Sequence, residues 1–198
     1  MTARVNASLA DVAWPVRTER LLLRPATVDD LEVVWTRWRQ RDDVGAWMSE
    51  PAPPLDAYVQ RLGAPERLGS ILVVEHEEQL VMDLHIRVQD CYSQSAVASR
   101  AARTKANLGW SMDPRVHGRG LATEALSAGL EICFDRLGLH RVEALCFAEN
   151  ASSWRLMERV GMRREGRFVE EALHRELGWT DMLAYAMIAS DWEALGDG

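Results

Sequence analysis

Residues 115–125 read Arg115-Val116-His117-Gly118-Arg119-Gly120-Leu121-Ala122-Thr123-Glu124-Ala125. Two glycines and two arginines therefore stand directly before a helical pattern that continues to residue 137, and a strand-like segment at 107–112 leads into them. Glycine-rich backbone at a helix N-terminus can turn its N–H groups towards a phosphate, where the helix dipole also favours an anion. The segment predicts a phosphate-binding turn between a strand and a helix.

Two common phosphate-binding fingerprints do not fit this turn. A dinucleotide-binding fingerprint needs G-x-G-x-x-G within a βαβ unit, and Thr123 occupies the third glycine position here. The G-x-x-x-x-G-K-[ST] loop of nucleotide hydrolases is missing from the sequence as well. The pattern therefore argues against hydride transfer and against nucleotide hydrolysis.

Length and composition indicate one ordinary globular domain. The chain has 198 residues, of which 47% are hydrophobic and 27% charged, and this is enough for a full single core. A net charge of −7 argues against a nucleic-acid partner. Three cysteines predict neither a disulfide framework nor a metal site. Without a span of ~20 apolar residues or a signal-peptide pattern, we expect a cytoplasmic protein with no membrane partner.

The hydrophobic periodicity predicts an alternation of strands and helices. Strands are expected over 20–24, 70–75, 80–88, 107–112, 140–147, 162–169 and 182–188, and helices over 27–41, 55–62, 121–137 and 150–160, with 90–105 as a loop or strand extension. The order β-α-α-β-β-β-α-β-α-β-β favours a single-domain α/β (α+β) fold, whose mixed, mostly antiparallel sheet is flanked by helices.

Local signals mark several turns and caps. Thr27 and Asp30 have capping-box form, and Gly138 is a candidate C-cap. We expect charged hairpin turns at 75–79 and a further turn at 178–180. Strand 80–88 alternates, so that Asp83 and His85 point outwards into solvent.

Two segments together resemble a known family. Arg115-x-x-Gly118-x-Gly120 resembles the acetyl-CoA pyrophosphate loop of the GNAT N-acetyltransferases. About thirty residues downstream, the stretch from Asn150 through Ser153 to Met162 is similar to the family element N-x-x-S-x-x-[LVA]-x-x-[KR]-x-G-[FM]. Residues 18–31 and the motif Trp179-x-Asp181-x-x-x-Tyr185 resemble the Rim-type ribosomal-protein N-terminal acetyltransferases. The resemblance covers about residues 18–192, with 1–17 as a leader and 193–198 as a tail.

The resemblance implies direct transfer of an acetyl group from acetyl-CoA to a primary amine. By motif position, Asn150 would bind the pantetheine arm or cap a helix, and Ser153 would give a proton to the leaving thiolate. Backbone groups near Trp110, Ser111 and Met112 would pair with pantetheine and stabilise the oxyanion. The pyrophosphate would be held by Arg115 and the amides of Val116, His117, Gly118, Arg119, Gly120, Leu121 and Ala122.

The general base is the least defined element of this reading. In some Rim-type relatives a glutamate on the strand pair after the Gly161 turn serves as the base, and our register puts Ala172 at that position, so this base does not carry over. Glu171 is adjacent to that position, and His174 shares its strand face if the segment is extended. We therefore expect Glu171 or His174 as the base, with His174 otherwise a surface residue. Asp83 and His85, on the central hairpin, could face the acceptor side, but we expect them to be solvated polar positions.

The expected partners are acetyl-CoA, as co-substrate without a metal, and an amine acceptor. A protein N-terminal amine is the first acceptor hypothesis, and polyamines, amino acids and antibiotics remain open. A homodimer is compatible with the sequence. Two other interpretations stay open: a non-catalytic acyl-CoA-binding module, and an ordinary α/β protein with an accidental glycine turn.

Overall fold

The computed structural model describes residues 8–50 and 52–196. These residues form strands β1 Val16–Arg17, β2 Leu22–Pro25, β3 Ile71–His76, β4 Gln79–Gln89, β5 Lys105–Met112, β6 Arg141–Phe147, β7 Arg163–His174 and β8 Gly178–Ile188. Their α-helices are α1 Val28–Val34, α2 Asp42–Gly45, α3 Leu55–Leu62, α4 Pro65–Leu68, α5 Ala98–Ala101, α6 Leu121–Glu131, α7 Ala151–Arg159 and α8 Ala189–Gly196.

The strands belong to a single mixed sheet in the order β1-β2-β3-β4-β5-β6-β8-β7. The pair β5–β6 is parallel, whereas β1–β2, β2–β3, β3–β4, β6–β8 and β7–β8 are antiparallel. The prediction of a mixed, mostly antiparallel sheet with flanking helices is confirmed. The chain divides into an N-terminal unit, Leu9–Ile86 with Gly109–Gly129, and a C-terminal unit, Ser8 with Arg87–Leu108 and residues 130–196.

Helix α1 of the N-terminal unit begins at the predicted capping box. The Thr27 hydroxyl accepts from the Asp30 N–H, and the Asp30 carboxylate accepts from the Thr27 N–H at 2.7 Å. Arg24 on β2 donates to the same carboxylate at 2.6 Å, which joins strand to helix. The chain continues from α1 as a π turn, Trp35–Arg39, where a regular helix through residue 41 was expected.

The β3–β4 hairpin lies at the centre of the N-terminal core. Glu77 and Glu78 form its two-residue turn with φ of 51° and 60°, so the predicted charged turn is confirmed. Side chains on both faces of β3 and β4 are buried. The core around α1 and α3 contains Ala26, Leu31, Val34, Trp38, Tyr58, Leu62, Ile71, Val73 and Leu80.

The β7–β8 hairpin of the C-terminal unit differs from its prediction. Strand β8 already begins at Gly178, and the turn lies at 175–177, so the prediction of a turn at 178–180 is wrong. Between the pairs Phe168–Met182 and Ala172–Thr180, three residues oppose one. Glu170 in this bulge has a φ of 47°, and such a break in the extended backbone leaves no sign in the hydrophobic alternation.

The helix that follows the glycine turn ends where the sequence predicts. Its last turn is a π segment, Ile132–Arg136, after which Gly138 takes a φ of 66°. The N–H of Leu139 donates to the carbonyl of Cys133 at 3.0 Å, as in a glycine-terminated helix. The predicted C-cap is confirmed.

The chain near its predicted domain boundaries carries regular structure. Strand β1 lies inside the segment predicted as a leader, and α8 continues beyond residue 192. Residues 95–101, within the aperiodic stretch, form a 3-10 turn followed by α5. In the part of the chain that the structure describes, no helix combines the length and apolar character needed to span a membrane.

Candidate active site

The glycine turn of the N-terminal unit starts from a buried aspartate. The chain leaves β5 at Met112, and the Asp113 carboxylate accepts from the N–H of Arg115 at 3.0 Å, which starts a 3-10 turn over Pro114–Val116. Gly118 and Gly120 then take φ values of 75° and 77°. Residues with a side chain rarely adopt this region, so both glycines are needed for the path of the turn.

Five consecutive backbone N–H groups of this turn have no partner among the described residues. Across residues 8–50 and 52–196, the N–H groups of Gly118, Arg119, Gly120, Leu121 and Ala122 have no hydrogen-bond acceptor. Leu121 and Ala122 open helix α6, where the first N–H groups lack an intrahelical partner and the dipole is positive. The turn therefore presents a row of donors suited to an anion.

Two of the amides predicted for this cradle are engaged elsewhere. The N–H of Val116 donates to the carbonyl of Asp113 at 3.1 Å, and that of His117 donates to the carbonyl of Pro114 at 3.2 Å. Both bonds belong to the 3-10 turn. The available donors therefore lie at 118–122, the C-terminal part of the predicted set 116–122.

The first arginine of the motif is held by an ion pair. Arg115 donates through Nη2 and Nε to the Asp113 carboxylate at 2.6 and 3.1 Å. Burial raises the pKa of Asp113, but hydrogen bonds from Arg115 and the charge of Arg37 outweigh it and hold that pKa below its usual value. The Arg115 side chain is itself largely exposed, so it adds positive charge at the solvent side of the turn.

Arg119, the second arginine of the motif, contacts a histidine from the β3–β4 hairpin. Nη2 of Arg119 lies 2.9 Å from Nε2 of His76, whose Nδ1 lies 3.2 Å from the carbonyl of Arg20. His76 is buried, so it does more than form part of a charged turn. The contact fixes the guanidinium beside the unpaired amides.

Helix α6 is anchored just after the turn. The Glu124 carboxylate accepts from the Thr18 hydroxyl at 2.5 Å and from Nε of Arg20 at 2.7 Å. Burial raises the pKa of Glu124, but these donors outweigh it and lower that pKa overall. Leu121 and Ala125 are buried, so the first turn of α6 is held by both packing and charge.

The strand segment before the turn carries a buried polar cluster that periodicity did not predict. Ser111, between Trp110 and Met112, is buried, and its hydroxyl donates to Oδ1 of Asp83. The indole N–H of Trp38 reaches the same oxygen at 3.0 Å and the Ser111 oxygen at 2.9 Å.

The outward, solvated placement expected for Asp83 is therefore wrong. The π turn after α1 covers that face of β4 and brings Trp38 over it, so Asp83 is only 3% exposed. His85 lies partly covered beside it, with Nε2 2.9 Å from Oδ2 of Asp83. An alternating polar pattern cannot reveal a second layer that covers the polar face.

In the C-terminal unit, Asn150 caps helix α7 as predicted. Its Oδ1 accepts from the N–H of Ser153 at 3.2 Å and from the hydroxyl of Ser152 at 2.8 Å. Asn150 is buried. Within the described residues, Nδ2 of Asn150 and the hydroxyl of Ser153 form no hydrogen bond, so each can still bind a ligand.

The histidine predicted as a base or a surface residue is buried. Nδ1 of His174 accepts from the N–H groups of Glu176 and Leu177 at 3.1 and 3.2 Å, and its ring packs edge-on against Phe147. The surface expectation is wrong, because the tight β7–β8 turn folds over the ring. With its Nδ1 lone pair used by the backbone, His174 is poorly suited to accept a proton there.

Glu171, the other predicted base, lies exposed in the β7 bulge. The prediction of a continuously extended segment is wrong here, because the N–H of Glu170 donates to Oδ1 of Asp181 at 2.8 Å and the backbone bulges. Asp181 also pairs with Arg167, and the Tyr185 hydroxyl donates to Glu158 at 2.8 Å. Two residues of the Trp179-x-Asp181-x-x-x-Tyr185 motif thus have structural partners.

Comparison with known proteins agrees with this geometry. The model of the acetyltransferase (GNAT) domain matches residues 20–163, and the chain belongs to this family of acetyltransferases. The fold is similar to that of a GNAT-family acetyltransferase from Bacillus anthracis, with a TM-score of 0.74 and 27% sequence identity. The similarity covers 89% of this chain and 99% of the Bacillus anthracis chain.

Two curated relatives are similar over 85 residues each. The uncharacterized N-acetyltransferase YnaD of Bacillus subtilis is 39% identical over 43% of this chain and 49% of its own length. The [ribosomal protein uS5]-alanine N-acetyltransferase of Escherichia coli is 31% identical over 43% of each protein. The matched segment thus spans about half or less of these relatives.

Proposed function

We propose that the protein is an N-acetyltransferase that moves an acetyl group from acetyl-CoA directly to a primary amine. The row of unpaired N–H groups at 118–122 carries the proposal, since it suits the pyrophosphate of coenzyme A. Members of the family use acetyl-CoA. Acetyl-CoA would supply the activated thioester, and no covalent enzyme intermediate is needed.

The proposed roles of the remaining residues follow the family motifs. Nδ2 of Asn150 would donate to a carbonyl of the pantetheine arm, and the Ser153 hydroxyl would give its proton to the leaving thiolate. A backbone N–H of Trp110, Ser111 or Met112 would stabilise the oxyanion that forms when the amine attacks the thioester. Lys105–Asn107 of β5 pair in parallel with Arg141–Glu143 of β6. Strand β5 continues for five residues beyond this paired stretch, to Met112, and these five include the three residues proposed to contact the thioester.

For the acceptor we propose a protein N-terminal amine. The support is the Rim-type character of residues 18–31 and the similarity to a relative that acts on the alanine of a ribosomal protein. A polyamine, an amino acid or an aminoglycoside would use the same chemistry. A peptide with a free N-terminal alanine tests this acceptor. The same peptide with its N-terminus blocked shows whether the α-amine is the group that reacts.

The test is thiol release from acetyl-CoA with an amine panel: both peptides, spermidine, free amino acids and an aminoglycoside. We expect release that depends on the free N-terminal peptide, with the gain of one acetyl group in its mass spectrum. Calorimetric binding of acetyl-CoA with no amine-dependent release would instead support an acyl-CoA-binding module. Failure to bind acetyl-CoA would contradict both the acetyltransferase and the binding-module hypotheses, and it would support an ordinary α/β protein.

A further inference from the structure

A carboxylate and an imidazole form a close pair on β4 that the roles above leave unused. Oδ2 of Asp83 lies 2.9 Å from Nε2 of His85. The Asp83 side chain is 5% exposed, whereas that of His85 is 16% exposed. The acid is thus shielded, and the imidazole is the member of the pair that a substrate can reach.

The surroundings of Asp83 determine which ring nitrogen of His85 carries hydrogen. Burial raises the pKa of Asp83, but hydrogen bonding and charge from His85, the charge of Arg39 and the Ser111 hydroxyl outweigh it and keep that pKa low. An ionised carboxylate is an acceptor only, so Nε2 of His85 is the donor. When the ring is neutral, its basic lone pair is on Nδ1, which forms no hydrogen bond within the described residues.

The pair shares a sheet face with the strand segment proposed to bind the thioester. The Ser111 hydroxyl donates to Asp83, so both side chains lie on one face, and residues two positions apart on a strand share a face. His85 therefore lies on the face of Asp83, and Gly109 on that of Ser111. A Cβ built on Gly109 meets no atom within 4 Å outside its chain neighbours, so this face has open space beside β5.

We propose that His85 is the general base that prepares the acceptor amine, and that Asp83 is a positioning residue acting through it. The inference rests on the proposed acetyltransferase function. Nδ1 of His85 takes one proton from the acceptor ammonium, and the freed nitrogen lone pair attacks the thioester carbonyl. A C–N bond forms and the C–S bond breaks. Ser153 protonates the thiolate and recovers a proton from the amide nitrogen, while His85 returns its proton to water.

The other groups around Asp83 and His85 are less suited than His85 to act as the general base. Tyr58 on α3 is buried, and burial together with the Asp83 charge raises its pKa far above neutral pH, so it stays protonated. Arg39, from the turn after α1, contributes positive charge. Strand β3 places the apolar Ile71 opposite His85, and β5 contributes Ser111. Among these groups, the His85 imidazole is the one with a ring nitrogen that can accept a proton while the ring still donates to Asp83.

The test compares His85→Gln with wild type in thiol release on the free N-terminal alanine peptide between pH 6 and 9.5. Glutamine keeps a donor for Asp83 but cannot take the proton. We expect kcat/KM to fall about 100-fold at pH 6.5. The loss should shrink to less than about tenfold at pH 9.5, where the α-amine, with a pKa of about 8, is already neutral. His140→Gln, at an exposed histidine, is the matched control and should leave the profile unchanged.

Two further measurements keep the proposal testable if the variant folds poorly. In wild type, ¹⁵N NMR of neutral His85 should show hydrogen on Nε2 and a bare Nδ1, and the opposite tautomer would overturn the proposal. Asp83→Asn should lower kcat with little change in acetyl-CoA affinity. An active wild type whose pH profile survives His85→Gln overturns this inference alone, whereas a wild type that turns over no amine overturns the proposed function with it.

Discussion

Arg20 and Glu124, which are 104 residues apart in the chain, are joined by a double contact. The backbone N–H of Arg20 lies 2.8 Å from Oε1 of Glu124, and its Nε lies 2.7 Å from Oε2. The same guanidinium donates through Nη1 to the carbonyl of Arg119 at 3.0 Å. The segment before β2 therefore holds both the glycine turn and the first turn of α6.

Replacing Glu124 with Gln should loosen this anchor. The variant loses the charge that Arg20 pairs with, and because Arg20 is partly exposed we expect a loss of only about 1 kcal/mol in the free energy of unfolding. Acetyl-CoA should bind about fivefold more weakly, equivalent to about 1 kcal/mol, since the donors at 118–122 become less ordered. Urea unfolding and calorimetry measure the two effects. Glu193→Gln, at an exposed glutamate, should change neither, and equal effects in both variants would refute the anchor.

The Arg24–Asp30 pair should make stability fall in acid. Burial raises the pKa of Asp30, but Arg24 and the Thr27 hydrogen bonds outweigh it, so the folded-state pKa is below the ordinary value. A carboxyl of this kind stabilises the fold above its unfolded-state pKa of about 3.9, and the contribution is lost as the pH falls through the lower, folded-state value.

Asp30→Asn should therefore reduce stability at pH 7 and flatten its decline below about pH 5. The measurement is the free energy of urea unfolding at pH values from 7 down to 2.5. Asp29→Asn, at the exposed neighbour in the same helical turn, serves as the control. If both variants show the wild-type acid slope, the Arg24 contact does not stabilise the fold.

Gly120→Trp should abolish measurable acetyl-CoA binding. The indole would fill the space in front of the N–H groups at 118–122, and a φ of 77° at this position is also unfavourable for any side chain. Gly138→Trp reproduces the backbone cost, because Gly138 has a φ of 66° and open space around its Cβ position. Calorimetry should show binding to the second variant at wild-type affinity. Unchanged affinity in the first would remove the turn from the proposed site.

Ser153→Ala should lower turnover more than it lowers cofactor affinity. The lost hydroxyl would act on the leaving thiolate, so we expect kcat to fall at least about tenfold while the Kd of acetyl-CoA stays within about twofold. Ser152→Ala is the neighbouring control, because that hydroxyl serves the Asn150 cap instead. Equal kcat values for Ser153→Ala and wild type would exclude Ser153 from the proton transfer.

The sequence predicted the turn, the caps and most strands because these depend on local backbone preferences. Gly118, Gly120 and Gly138 take positive φ values that a side chain disfavours, and Asn150 caps α7 through atoms three residues away. The bulge at Glu170 was missed, because it depends on a hydrogen bond to Asp181 across the hairpin. Glycine and capping signals lie in the chain itself, whereas a cross-strand partner does not.

Local residue patterns were sufficient to predict the family, the strand–turn–helix that carries the glycine turn, and the residues to be tested around it. Tertiary structure alone decided which polar side chains are buried and what each one faces. Asp83 and His174 lie in polar-looking strands, yet a covering turn closes over each of them. Periodicity reports which face of a strand is apolar, and only the packing of a second layer decides whether the other face meets water.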